Sequence, residues 1–386
     1  MCLSEAKGMD INMNSERGLK ERKALDGQFD GTLQEILAVS CKNNAVPGAS
    51  VVTLDIGKPS VSVPYVCGVT RTGTQSPVTV DTQFMAGSLS KTITAWGVMA
   101  LAKEQRIQLD NDINQYLKRW RFSYTVEQDT ITPRMLLNHT SGLPPQYDRG
   151  GKSFINALDI LTDSLAKKKF GTLHEFCYTS LGYTVLQMMV EDVLDKDFNS
   201  AMESLVFTPL KMRHSLFCQH ISDLDACSYS HNAFGYALKK RIYSQSAAAG
   251  LITTISDFSL FLLQHLQAYS RDGQFANMTK KQIRLMHTCS RDDNCSLGFF
   301  TTRTNRHILL SHYGLNLGSH SFFMLVPDMG KGLAIFTNAT GGNNVIYDVL
   351  LYWSRTYGGM NPGHVLDKLN RVTKNRMHLI LTDLFW

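Results

Sequence analysis

The stretch Phe84-Met85-Ala86-Gly87-Ser88-Leu89-Ser90-Lys91-Thr92-Ile93-Thr94-Ala95-Trp96-Gly97-Val98-Met99-Ala100-Leu101 decides how the rest of the chain is read. Ile93, Trp96, Gly97, Ala100 and Leu101 recur at three- and four-residue intervals, which predicts a helix with one apolar face running to about Gln105. Gly87 allows a tight entry, so Ser88 falls at the helix start, where backbone N–H groups lack intrahelical partners and the helix dipole is positive. Lys91 stands at i+3 from Ser88 and shares its side of the first turn. A lysine withdrawn from water favours its neutral form and can take the serine proton, so the two form a candidate nucleophile. Taken alone, S-x-x-K is more often a helix N-cap followed by a solvated lysine, so the choice rests on the rest of the chain.

Upstream, Leu33, Ile36, Leu37 and Val39 predict an amphipathic helix that Val46-Pro47-Gly48 ends. Ala49 to Ile56 and Val61 to Val69 read as two strands joined by the turn Gly57-Lys58-Pro59. Downstream, Arg134 to Asn138, residues 152–169 and residues 181–204 read as helices, and His139-Thr140-Ser141-Gly142-Leu143-Pro144-Pro145 as a loop. From Gly250 onward strands return. A helix from Ser256, its expected cap, to Gln267 precedes strands at Leu297–Phe300, His307–Ser311, Ser321–Val326 and Lys331–Asn338, and Val345 to Tyr357 closes with a helix. The expected organisation is a flexible arm (1–28), an α/β sheet subdomain (29–80 with 245–358), an inserted, mostly helical subdomain carrying the Ser88 helix (81–244), and a tail (359–386). The crevice between sheet and insert is the natural catalytic place.

The chain has 386 residues, 43% of them apolar, which suits a globular protein with a full core. The net charge of +6 comes from scattered basic residues, with no nucleic-acid-binding motif, so no nucleic-acid partner is expected. No apolar stretch has the length of a membrane span, and Met1 to Asp30 lacks the charged-then-apolar layout of a secretory signal; a cytoplasmic protein is expected. Eight cysteines form no C-x-x-C and no zinc-type spacing, so reduced thiols are expected. Cys218 with Cys227, and Cys289 with Cys295, are close enough in sequence to pair in an oxidising compartment. No metal or nucleotide site is visible, and no cofactor is expected.

Ordered landmarks run through the chain: Val46-Pro47-Gly48-Ala49, the Ser88–Lys91 motif, Leu136-Leu137-Asn138-His139-Thr140-Ser141-Gly142-Leu143-Pro144, Tyr178-Thr179-Ser180-Leu181-Gly182-Tyr183, Pro209-Leu210-Lys211-Met212, Ala249-Gly250-Leu251 and His312-Tyr313-Gly314. In this set, over about residues 30–357, the chain resembles the serine β-lactamase and penicillin-binding-protein superfamily. The likeness is to its class C-like branch of β-lactamases, D,D-carboxypeptidases, D-aminopeptidases and esterases. The resemblance implies a β-lactamase-like α/β (α+β) fold, an antiparallel sheet flanked by helices with the helical insert. It also implies that Ser88 is the acylated nucleophile, Lys91 its deprotonating partner and Tyr178 the general base or leaving-group donor. The backbone N–H groups of Ser88 and Leu315 would form the oxyanion hole, each such donor worth roughly 2.7–4 kcal/mol of barrier. Ser180, His312, Tyr313 and Gly314 would bind substrate, and His139 would hold its loop.

Two positions depart from the family pattern. Ser180 replaces the asparagine of Y-x-N and offers a shorter, poorer set of hydrogen bonds. His312-Tyr313-Gly314 replaces K-T-G: the histidine can still donate or carry charge, but a bulky tyrosine displaces a small hydroxyl. The expected activity is hydrolysis of a small-molecule ester or amide through an acyl-enzyme, carboxylesterase- or peptidase-like. The alternatives are acyl transfer on the same machinery and a catalytically silent binding or scaffold protein.

Overall fold

The computed structural model describes residues 31–59, 61–123, 130–146, 150–151, 155–165, 171–270, 275–289, 295–304 and 306–358. The expected arm (1–28) and tail (359–386) lie outside the described residues. Helix α1 (Leu33–Asn43) starts at a capping box, with Thr32 and Glu35 each accepting from the other's backbone N–H. Strands β1 (Gly48–Asp55) and β2 (Ser62–Gly68) form the expected hairpin. A short strand, β3 (Phe84–Met85), leads into a 3-10 turn at Gly87–Leu89 and then helix α2 (Ser90–Lys103).

The expectation of one apolar face on α2 needs correction. Every residue from Ser90 to Leu101 is buried. A helix buried all round reads by its lack of charge, not by a stripe; Lys91 is the exception and marks the site. Then come α3 (Pro133–Leu137), α4 (Ala157–Leu165), α5 (Leu181–Leu194) and α6 (Phe198–Met202). The single helix expected over 181–204 is two, because Asp195 adopts a left-handed conformation (φ 53°) and ends α5.

The chain returns through β4 (Leu216–Phe217), α7 (Ser246–Ala249), β5 (Leu251–Thr253), α8 (Ile255–Gln267) and α9 (Lys280–Met286). Thr254, not Ser256, caps α8: its side chain accepts from Asp257 N. Strands β6 (Phe300–Arg303), β7 (Ile308–Asn316), β8 (Ser319–Val326) and β9 (Lys331–Thr337) precede α10 (Gly342–Trp353). Leu297 to Phe299 lies before the first of these strands, and β7 runs five residues beyond its expected end at Ser311.

The main sheet has the order β2-β1-β9-β8-β7-β6, and every pairing in it is antiparallel. Its two faces bury separate apolar layers, as the two-residue alternation of strands requires. On one face Val52, Phe323 and Phe336 meet the core around Trp96 of α2 and Phe258 and Phe261 of α8. On the other, Val51, Phe322 and Ile335 pack under Leu33 and Leu37 of α1 and Val349 and Trp353 of α10. A second sheet, β3-β5-β4, links the entry to α2 with residues 216–253. The resulting architecture is the expected α/β one, an antiparallel sheet flanked by helices.

Candidate active site

Ser88 lies in the 3-10 turn before α2, buried to 6% exposure, and Lys91 is fully buried. Lys91 Nζ donates to Ser88 Oγ at 3.2 Å and to the Ala248 carbonyl at 2.9 Å. The ring centroids of Tyr178 and Tyr183 lie 5.0 and 5.5 Å from the same ammonium. The lysine is thus held by a carbonyl, a hydroxyl and two aromatic rings, which aim it at the serine oxygen.

The turn itself is fixed by short polar contacts. Ser90 Oγ donates to Gly87 O (2.6 Å) and accepts from Leu251 N (2.9 Å), while Ser321 Oγ donates to Ala86 O (2.7 Å). Gly87 has φ 53°, and a Cβ there would lie 2.7 Å from Leu315 N. A Cβ on Gly314 would collide with the Ala86 carbonyl and the Ser321 hydroxyl. The two glycines therefore let β7 lie against the Ser88 turn, which places the Leu315 amide beside it.

Tyr178 is half-buried. One side of its ring meets His139, centroids 4.4 Å apart, and it stacks on Phe300 at 5.8 Å. His312 lies 4.9 Å from Phe300 and 6.3 Å from Tyr178, so the three rings form one cluster. His312 Nδ1 lies 2.8 Å from Tyr313 N and 3.0 Å from Tyr313 O, so the ring tautomer decides whether it accepts from the amide or donates to the carbonyl.

His139 does more than hold its own loop. Its carbonyl accepts from Cys177 N (2.8 Å), its Nδ1 accepts from Thr179 N (3.3 Å), and its ring lies against the residue between them. Burial, the Lys91 ammonium and His312 hold its pKa well below the ordinary histidine range, so it stays neutral and keeps Nδ1 as an acceptor. Thr179 Oγ1 donates to Pro144 O at 2.7 Å and ties the same segment to the 139–145 loop.

Ser180 is buried at the head of α5, and its N–H donates to Gln146 O at 3.0 Å. The side chain of Tyr313, an expected substrate contact, does not join this group. On β7 it alternates with His312, pairs across the ladder with Phe322, and packs in the layer beneath α1 and α10. Strand period sends adjacent residues to opposite faces, so a motif read as one unit is divided between them.

Several contributors escape a motif-by-motif reading. The Ala248 carbonyl and Ser321 carry no sequence pattern, and Phe300 stands at a strand boundary. One signal was available: Ser180, Thr184 and Gln187 make a polar i, i+4, i+7 stripe within apolar α5. Thr184 accepts from Gln245 Nε2 (3.1 Å) and Gln187 accepts from Ala247 N (3.3 Å), so the stripe holds the segment that supplies Lys91 with its carbonyl.

The family model described as Beta-lactamase matches residues 29–351. Protein flp of Staphylococcus aureus (strain MRSA252) is 23% identical over 320 residues, covering 79% of this chain and 62% of that protein. The chain thus spans about 62% of the length of this curated relative. The octameric penicillin-binding protein homologue from Pyrococcus abyssi superposes with a TM-score of 0.70 at 20% identity, over 86% of this chain and 77% of its own. The D-amino acid amidase from Ochrobactrum anthropi SV3, complexed with L-phenylalanine, gives 0.68 at 20% identity, over 84% and 98%. These likenesses show a shared fold. Among the described residues no helix is long and apolar enough to cross a membrane.

Proposed function

Because the chain belongs to the Beta-lactamase family, we propose that it is a serine hydrolase that cleaves a small-molecule ester or amide through an acyl-enzyme on Ser88. The observation that carries this is the 3.2 Å contact of buried Lys91 Nζ with Ser88 Oγ, beside the Leu315 amide. In its neutral amine form Lys91 takes the hydroxyl proton as Ser88 attacks the carbonyl carbon, and becomes the ammonium. The N–H groups of Ser88 and Leu315 receive the oxyanion. Tyr178, beside the ammonium, passes the proton to the leaving group; water then attacks the acyl-enzyme, and the carboxylic acid leaves with Ser88 restored.

The walls support neutral acyl groups over a bicyclic lactam carboxylate. Ser180 presents one hydroxyl where an asparagine would present a carbonyl and two donors. Tyr313 turns its ring to the other face of the sheet, and Phe300 sets an apolar ring beside both Tyr178 and His312. The test is intact-mass analysis after incubation with a fluorophosphonate and, separately, with a penicillin. The expected result is a fluorophosphonate adduct on the wild type that is lost in Ser88→Ala, with turnover of short-chain carboxylic esters. Folded wild type that takes up neither reagent overturns the reading. A penicillin adduct that decays with release of product overturns the preference for esters.

A further inference from the structure

The two cysteine pairs suggested by sequence proximity are not the ones the fold brings together most closely. Cys41, in the last turn of α1, and Cys67, near the end of β2, have their sulfurs 3.3 Å apart although 26 residues separate them. We infer that Cys41 and Cys67 form a reversible thiol–disulfide site, in which Cys67 is attacked by a low-molecular-weight disulfide or peroxide and Cys41 resolves the intermediate. This goes beyond the hydrolase reading and is independent of it: β2 is the edge strand of the main sheet, and β7, against the Ser88 turn, is four strands away in the order.

The roles follow from the unequal surroundings of the two thiols. Cys41 is 4% exposed, on the face of α1 that packs on the sheet; Cys67 is half-buried on an edge strand. Cys67 is held below the ordinary thiol pKa by its contact with the Cys41 thiol and by the Ala49 backbone, against burial that opposes this. Cys41 is pushed up by the same contact and by burial. Of two touching thiols, the less buried one is reached first by an oxidant, and the buried one beside it is placed to resolve the intermediate.

With oxidised glutathione as the oxidant, the Cys67 thiolate attacks one sulfur, expels one glutathione thiolate and forms a mixed disulfide. Cys41 then gives up its proton, attacks Cys67 Sγ and expels the second thiolate. Two protein thiols are oxidised, and one glutathione disulfide is reduced to two thiols. The cross-link ties α1 to the sheet edge and closes a loop, which restricts the unfolded chain.

The experiment incubates the full chain with oxidised glutathione, blocks remaining thiols by alkylation and maps unreduced peptides by mass. The expected result is a Cys41–Cys67 linkage, an apparent Tm raised by several degrees, and reversal of both by dithiothreitol. Cys41→Ser and Cys41→Ala accumulate a glutathione adduct on Cys67, whereas Cys67→Ser yields none at Cys41. Folded protein that forms no Cys41–Cys67 linkage, or that joins Cys218 to Cys227 in preference, overturns the proposal. An adduct on Cys41 in Cys67→Ser overturns the assignment of roles.

Discussion

The turn that carries Ser88 and the loop that carries Tyr178 meet at the same ammonium but are built by opposite means. The Ser88 turn is held by small residues and short hydrogen bonds from Ser90 and Ser321, with β7 so close that Gly87 and Gly314 have no space for a Cβ. The Tyr178 segment is held by ring faces, His139 on one side and Phe300 on another, and by hydrogen bonds from Cys177 N and Thr179 N to His139 and from Thr179 Oγ1 to Pro144 O. The first region tolerates no added volume. The second tolerates changes of shape but depends on which atoms accept protons.

The sharpest way to break this contrast is at Lys91. Lys91→Met keeps much of the buried volume and removes the base, so fluorophosphonate labelling of Ser88 should slow by about 10²–10⁴-fold. Because an apolar side chain suits a buried position, the urea midpoint should hold or rise. A slowed variant that has also unfolded would mean that Lys91 serves structure first.

Gly314→Ala tests the volume limit directly. Relief of the collision with Ala86 O and Ser321 Oγ needs backbone movement, and overpacking of this kind costs about 1–3 kcal/mol. Chemical denaturation should register that loss, together with slower labelling, because the Leu315 amide moves with β7. Normal stability with normal labelling would show that the strand does not abut the turn.

His139 allows the opposite region to be taken apart. His139→Asn keeps an acceptor for Thr179 N–H without the ring, and His139→Phe keeps a ring without the acceptor. Each should lower kcat for an ester by roughly tenfold, the rate equivalent of about 1.4 kcal/mol, with little change in KM. A change confined to KM would place His139 in substrate binding instead.

Acid should act through the same kind of group. His139, His231, His265 and His287 are all held below the ordinary histidine value, largely by burial, with His287 at about 3. Unfolded, these rings bind protons that the folded protein excludes. Their contribution to stability is complete above about pH 6.5 and is lost as pH falls below it. Thermal melts across this range should show Tm dropping with acidification, less steeply in His139→Asn. The smallest effect belongs to Tyr313→Phe: with the ring on the far face, labelling of Ser88 should not change, and any change would place that side chain in the cleft.

The contrast also explains what was readable from the residues alone. The contact of Ser88 with Lys91 was legible because an i, i+3 spacing puts both on one helical turn, although that spacing alone gave no role, and the order of sheet and helices was legible from strand and helix periods. Tyr313 misled because a three-residue motif gives no face, whereas the alternation along β7 does. Ala248 was invisible because a carbonyl has no residue identity, and Cys41 with Cys67 because the contact depends on how α1 crosses the sheet. Boundaries slipped where a single backbone conformation intervened, as at Asp195, or where a neighbouring residue such as Thr254 made the cap.

The order of strands in the main sheet has a consequence for how the protein comes into being. Gly48 N donates to Asn338 Oδ1 across 290 residues, and β1 lies directly beside β9. During synthesis the Ser88 helix leaves the ribosome long before β7, β8 and β9 exist. Until those strands arrive, β1 and β2 have no central neighbour, and Ser88 has no Leu315 amide beside it. Pairings between such distant segments make folding slow, since the chain between them must be ordered before the contact forms. The nascent polypeptide therefore carries the proposed nucleophile in an unarmed state through most of translation, and reactivity toward an acylating probe should switch on only once the last strands have joined the sheet.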